Sequence, residues 1–189
     1  MATRSEATVE DLYRVHEKAE LVDGEIVIMS PTGGIPGYAA GEIFAGLRDY
    51  SKKTRRGHAV SDNVAFLVDL PHRKSFSPDA SYYYGRLSMK FCDGPPAFAV
   101  EVRSENDYGP AAEARMARKR ADYFAAGTQV VWDVDLLGDD PIRKHVPDQA
   151  EPTVFRRGEQ ADAEPALPGW RFSVDDLFPH DDVNEELQG

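Results

Sequence analysis

Two acids interrupt apolar runs of strand-like character. Asp79 follows Pro78 and opens Asp79 to Tyr84; Glu101 stands late in the next run, between Val100 and Val102. On adjacent strands of one sheet these carboxylates would lie close together. Two carboxylates facing one pocket repel each other and resist desolvation unless a cation joins them. Hard oxygen ligands with retained waters suit Mg²⁺ or Mn²⁺. Such an ion lowers the pKa of bound water and offsets charge developing on a phosphodiester. The competing reading is that the acids cap loops or pair with an arginine. A basic segment follows, with Arg115, Arg118, Lys119 and Arg120 inside six residues. On a helix Arg115 and Lys119 share a face, and Lys119 lies four residues before Tyr123. Met116, Ala117, Ala121 and Phe124 supply its buried stripe, so a lysine at the stripe's edge can extend its ammonium toward the strand ends. There it would orient a nucleophilic water or stabilise a pentavalent phosphorus. The alternative is a solvated face paired to Glu113 or Asp122.

The elements that must position these groups can be read from periodicity. Thr8 is an N-cap for a helix from Val9 to about Lys18. Glu20 to Met29 reads as a hairpin turning at Asp23-Gly24, and residues 30–37 as a loop. Ala40, Ile43, Phe44 and Leu47 recur at helical spacing within Tyr38 to about Lys53. Strands are expected at Ala59 to Val68, Asp79 to Tyr84 and Ala97 to Arg103. A second long helix, Ala111 to Ala126, stops at Gly127. Gln129 to Val134 is a buried strand, followed by short strands at 143–146 and 154–156 and a closing segment from Trp170 to Phe178. Helix, strand, strand, strand, helix, strand predicts an α/β fold with a mixed sheet and helices against its faces. Ligands of such sheets gather where strand ends open a crevice.

The 189 residues fit a single domain over 1–180 with its core at about 38–134, and an acidic, frayed tail over 181–189. One cysteine, Cys92, excludes an internal disulfide and a cysteine zinc cluster. No segment has the apolar length of a signal peptide or a membrane span, so the expected location is cytoplasmic. The net charge of −11 argues against a surface coated for nonspecific nucleic-acid binding. Yet residues 51–100 carry eight bases against four acids, a local face that can still meet phosphate. The five histidines show no ligand-like clustering and read as surface or packing groups.

Several segments together resemble the Uma-two family of restriction endonucleases, within the PD-(D/E)XK nuclease superfamily. They are Glu20-Leu-Val-Asp-Gly-Glu-Ile-Val-Ile-Met-Ser-Pro31, Ser77-Pro-Asp-Ala80, Ala99-Val-Glu-Val-Arg-Ser104, Lys119 to Asp135, and Leu167-Pro-Gly-Trp170. The resemblance spans most of residues 8–178 and implies an αβββαβ core, the order already read from periodicity. It implies that Asp79 and Glu101 hold the metal, with the main-chain carbonyl of Val102 as a further ligand. The superfamily's lysine two residues after Glu101 is here Arg103, which stays protonated and cannot act as a base. The lysine of this family is similar in place to Lys119, leaving Arg103 as a phosphate-binding substitute. Glu42 on the first core helix and Glu20 at the hairpin are further candidate metal ligands. A histidine that many relatives carry before that helix is absent. The implied activity is Mg²⁺- or Mn²⁺-dependent cleavage of DNA, by a homodimer because two strands need two sites. The rival is a catalytically weakened or inactive member serving as a binding or assembly module.

Overall fold

The computed structural model describes residues 6–180; the acidic segment 181–189 lies outside them. In chain order the elements are α1 (Val9–Leu12), β1 (Ala19–Val22), β2 (Glu25–Ile28), α2 (Gly34–Thr54), β3 (His58–Ser61), β4 (Phe66–Leu67), β5 (Ser75–Phe76), β6 (Ala80–Tyr83), β7 (Cys92–Asp93), β8 (Phe98–Val102), α3 (Pro110–Ala126), β9 (Val130–Val134), β10 (Ile142–His145), β11 (Thr153–Phe155), β12 (Gln160–Asp162) and β13 (Arg171–Ser173), then a 3₁₀ turn, Val174–Leu177. Six strands form the main sheet in the order β11-β10-β9-β8-β6-β3. Only β8 and β9 run parallel; every other neighbouring pair is antiparallel. A parallel pair needs a crossover, and α3 provides it. The expected mixed α/β sheet is therefore present.

Each face of this sheet receives one helix. Ala39, Ile43 and Leu47, spaced by four along α2, are fully buried against Tyr82, Phe98, Val100, Val130 and Trp132. Trp132 packs against Phe98, Trp170 and Phe172, so the C-terminal segment closes the same core. Trp170 Nε1 also donates to the Gly46 carbonyl of α2 at 3.3 Å. The opposite face meets α3 through Ala99, Val131, Tyr83 and Tyr123. Gly127, at φ 111°, turns the chain out of α3 in a conformation that only glycine adopts readily.

Three expected boundaries move. The first helix ends at Leu12 instead of Lys18. Its capping box, Thr8 with Asp11, is intact, but the residues after it are drawn into β1 pairing, where Lys18 C=O accepts from Met29 N–H at 2.9 Å. A four-residue helix has too little propagation to resist that pull. The segment Ala59–Val68 divides, because Asn63 takes a positive φ of 62° and sends β4 into a separate sheet with β5 and β7. And α2 begins at Gly34, inside the expected loop.

Candidate active site

Alternation decides which residues reach the α3 face. In β8, Phe98, Val100 and Val102 join the α2 core, so Ala99, Glu101 and Arg103 point the other way. The β6–β8 register ends at the pair Ala80 and Val100; Asp79 stands one residue before β6, where its charge acts on Glu101. Asp79 is fixed there by the ladder itself. Its N–H donates to Val100 C=O at 3.0 Å, and its Oδ2 accepts from Val102 N–H at 2.7 Å. The N–H and C=O of one strand residue leave on the same side. Since Val102 N–H turns to Asp79, the Val102 carbonyl is directed there too.

Lys119 and Tyr123, one turn apart on α3, both reach Glu101. Lys119 Nζ lies 2.8 Å from Glu101 Oε2 and Tyr123 OH donates to Oε1 at 2.6 Å. Lys119 also lies 2.8 Å from Glu20 Oε1. Glu20 is anchored in turn by Ser77 N–H at 2.8 Å and Arg73 Nη1 at 2.5 Å. Arg73 Nε then reaches Asp122 Oδ2 at 2.8 Å, and Asp122 Oδ1 lies 2.6 Å from His72 Nε2. On the other side, Lys18 Nζ lies 2.6 Å from Asp79 Oδ1.

Exposure separates these acids. The side chains of Asp79 and Glu101 are 22% and 26% exposed, while that of Glu20 is 5%. The first two open to a ligand; Glu20 is sealed. Electrostatics follow the same division. Burial, joined by the charges of Asp79 and Glu20, pushes the Glu101 pKa above its ordinary value despite Lys119. Burial also opposes the Glu20 carboxylate, but Lys119 and Arg73 outweigh it and hold its pKa down. For Lys119, burial is overcome by Glu101 and Glu20, and the ammonium is held more firmly than a free lysine's. Burial and the same two acids raise the Tyr123 hydroxyl well above its ordinary value, so it remains a donor.

The structure thus brings Asp79, Glu101, Lys119 and Glu20 into one network and places two other expected residues apart from it. Arg103 is clamped between strand and helix: Nε and Nη2 donate to Asp133 at 2.7 Å each, and Nη1 and Nη2 engage Glu113. That uses most of its guanidinium donors. Glu42 is half-buried on α2, the helix of the opposite face, and enters none of the bonds above. Sequence reasoning missed Lys18, Arg73, Asp122 and His72 as members of the network. Lys18 carried a usable signal, because alternation sets it on the same side of its strand as Glu20. Arg73 carried none, since a loop residue has no period.

A divalent ion fits the open part of this network by donor chemistry. Asp79 and Glu101 offer hard oxygens on the partly exposed side of the network. Among the described residues no three His, Cys, Asp or Glu side chains gather as a ready metal cage. An ion would therefore rest on two carboxylates, a main-chain carbonyl and water, which is the ligand habit of Mg²⁺.

A family model, Uma2, described as "Putative restriction endonuclease", matches residues 8–183. The fold is similar to the crystal structure of "a putative nuclease" from Anabaena variabilis ATCC 29413, with a TM-score of 0.72 at 18% identity, covering 90% of this chain and 97% of that one. No curated protein matches the sequence. Among the described residues, no helix is long and apolar enough to cross a membrane.

Proposed function

The chain belongs to the Uma-two family of restriction-endonuclease-like nucleases, and from that premise we propose that it hydrolyses DNA phosphodiester bonds with Mg²⁺ or Mn²⁺. The observation that carries the proposal is Asp79, docked on the Val102 N–H of β8, lying near enough to Glu101 for their charges to interact, with an ammonium from α3 bonded to Glu101.

Asp79, Glu101 and the Val102 carbonyl would hold the ion. When bound, it lowers the pKa of a water ligand and offsets phosphate charge. The chain's own residues do the rest. Lys119 stays protonated, so it acts by charge and orientation and not as a base. An ammonium has three donors; Glu101 and Glu20 engage two, leaving one for a phosphate oxygen or the attacking water. Glu20 positions Lys119 instead of binding metal, because its side chain is sealed from solvent and held by Ser77, Arg73 and Lys119, whereas Asp79 and Glu101 stay partly open. Tyr123 fixes the second Glu101 oxygen. Arg103 ties β9 to α3 through Asp133 and Glu113, which keeps the Lys119 helix in place. Glu42 is left out of the ligand set. A homodimer would present two such sites to the two strands, which sedimentation of the protein with and without duplex can check.

Plasmid nicking in Mn²⁺, comparing wild type with Glu101→Ala, tests the proposal; undiminished cleavage by the variant would overturn it. Titration calorimetry of Mn²⁺ into wild type and Asp79→Ala should show binding only in the former. A parallel assay with RNA separates the two nucleic acids. One observation favours a second reading, a module that binds without cutting: the superfamily's lysine position is filled by Arg103, and that guanidinium is consumed by a structural clamp. In that case wild type retains duplex in Mn²⁺ and leaves it intact.

A further inference from the structure

Lys18 sits at the open edge of the site with two anionic partners. Its ammonium lies 2.6 Å from Asp79 Oδ1 and 2.6 Å from Asp62 Oδ1. Its own side chain is 16% exposed, whereas that of Asp62, on the turn after β3, is 49% exposed. The Lys18 backbone is held through the Met29 bond, so only the flexible stem has freedom to move. Burial disfavours this ammonium, but Asp79, Asp62 and Glu101 outweigh burial and keep it charged.

We propose that Lys18 is the resident counter-cation of Asp79, which yields that carboxylate to an arriving divalent ion and retires onto Asp62. The inference rests on the metal-binding reading above. A divalent ion and an ammonium cannot share Asp79 Oδ1 without repulsion. The exchange is nonetheless cheap, because Lys18 surrenders one of two ion pairs and keeps the other. Asp79 meanwhile retains its Val102 N–H bond through Oδ2. Lys119 contrasts with Lys18, since sealed Glu20 and Glu101 both hold it in the interior of the network. The site thus has one fixed cation and one replaceable one. Asp62 is a positioning residue, in that it never touches the metal and determines where the displaced charge goes.

A double-mutant cycle on Mn²⁺ affinity, read by calorimetry on the metal-free protein, tests this. Lys18→Met should tighten binding by about 1.5-fold to fivefold, the range expected when a partly exposed competing ion pair is lost. Asp62→Asn should weaken binding by a similar factor, because Lys18 then has nowhere to go. In the Lys18→Met background the Asp62→Asn effect should vanish. Equal effects of Asp62→Asn in both backgrounds would mean plain electrostatics and overturn the proposal, as would no tightening in Lys18→Met. Lys18→Gln repeats the first arm if the methionine variant melts early. If wild type binds no Mn²⁺ at all, the metal-binding reading fails first, and the two failures are thereby told apart.

Discussion

The two faces of the main sheet are made by the same strands and differ in chemistry. On the α2 face, Tyr82, Phe98, Val100, Val130, Trp132, Val134 and Ile142 form a continuous apolar layer, each fully buried. On the α3 face, register aligns Glu101, Asp133 and Arg143 in one row across β8, β9 and β10, with Asp79 just before β6 at the Glu101 end. A sheet of period two can give its even residues wholly to cohesion while its odd residues set a charged row beside the apolar cluster of Tyr83, Ala99 and Val131. The charged row is tolerable because nearly every member is paired, and because the other face supplies burial independently.

That division predicts which variants lose activity and which lose stability. The largest effect should come from Glu101→Ala, a fall in cleavage of about 10²- to 10⁴-fold. Its melting temperature should change little. A folded-state pKa raised above the unfolded one means that ionising Glu101 costs stability as pH rises through the unfolded value, while truncation removes the bonds to Lys119 and buried Tyr123, so the two effects oppose each other. Trp132→Ala on the other face should do the reverse, lowering unfolding free energy by about 3–5 kcal/mol through a cavity; chemical denaturation measures it. A Glu101→Ala protein that melts earlier than Trp132→Ala would break the comparison. Arg73→Met sharpens it. Arg73 is 5% exposed between Glu20 and Asp122, so its loss strands two buried carboxylates at a cost of about 3–5 kcal/mol. It should also weaken cleavage, because Glu20 loses an anchor, and a denaturation curve beside a nicking assay reads both.

The smallest effect concerns His145 on the α3 face. Its ring sits beside Arg120, Arg143, Arg103 and Asp133, and Nε2 is buried with no partner. Burial and the nearby arginines lower its pKa from 6.5 to about 4. Below 6.5 the unfolded chain takes up a proton that the folded ring refuses, so stability falls as pH drops from 6.5 toward 4. His145→Phe should remove about 1–2 kcal/mol of that loss. An unchanged pH profile of stability in the variant would show that the ring charges freely.

Long-period features were legible in the sequence. Both major helices, the order of elements along the chain and the nearness of Asp79 to Glu101 follow from spacing, because alternation and the 3.6-residue turn are local properties. Lys119 was singled out by the family resemblance, since its spacing alone left a solvated face and the site both open. Other features depend on contacts distant in the chain. Arg73 reaches Asp122 across 49 residues and Glu20 across 53, and no local pattern encodes that. Arg103 shows the limit of motif transfer, since a motif position gives a residue's place on a strand and not its partners. Its acids, Asp133 and Glu113, come from β9 and α3. The expected helix from Val9 to Lys18 failed because tertiary pairing of the hairpin outweighed the local preference.

The carboxylate of Asp79 has two ends, and they answer to different masters. Oδ1 faces the cation, while Oδ2 completes the last rung between β6 and β8 by accepting from Val102. Whatever draws on the first end is felt at the second, so the Val102 amide becomes a gauge built into the backbone. Its exchange with solvent deuterium should shift when the site is loaded, reporting occupancy with no substrate present.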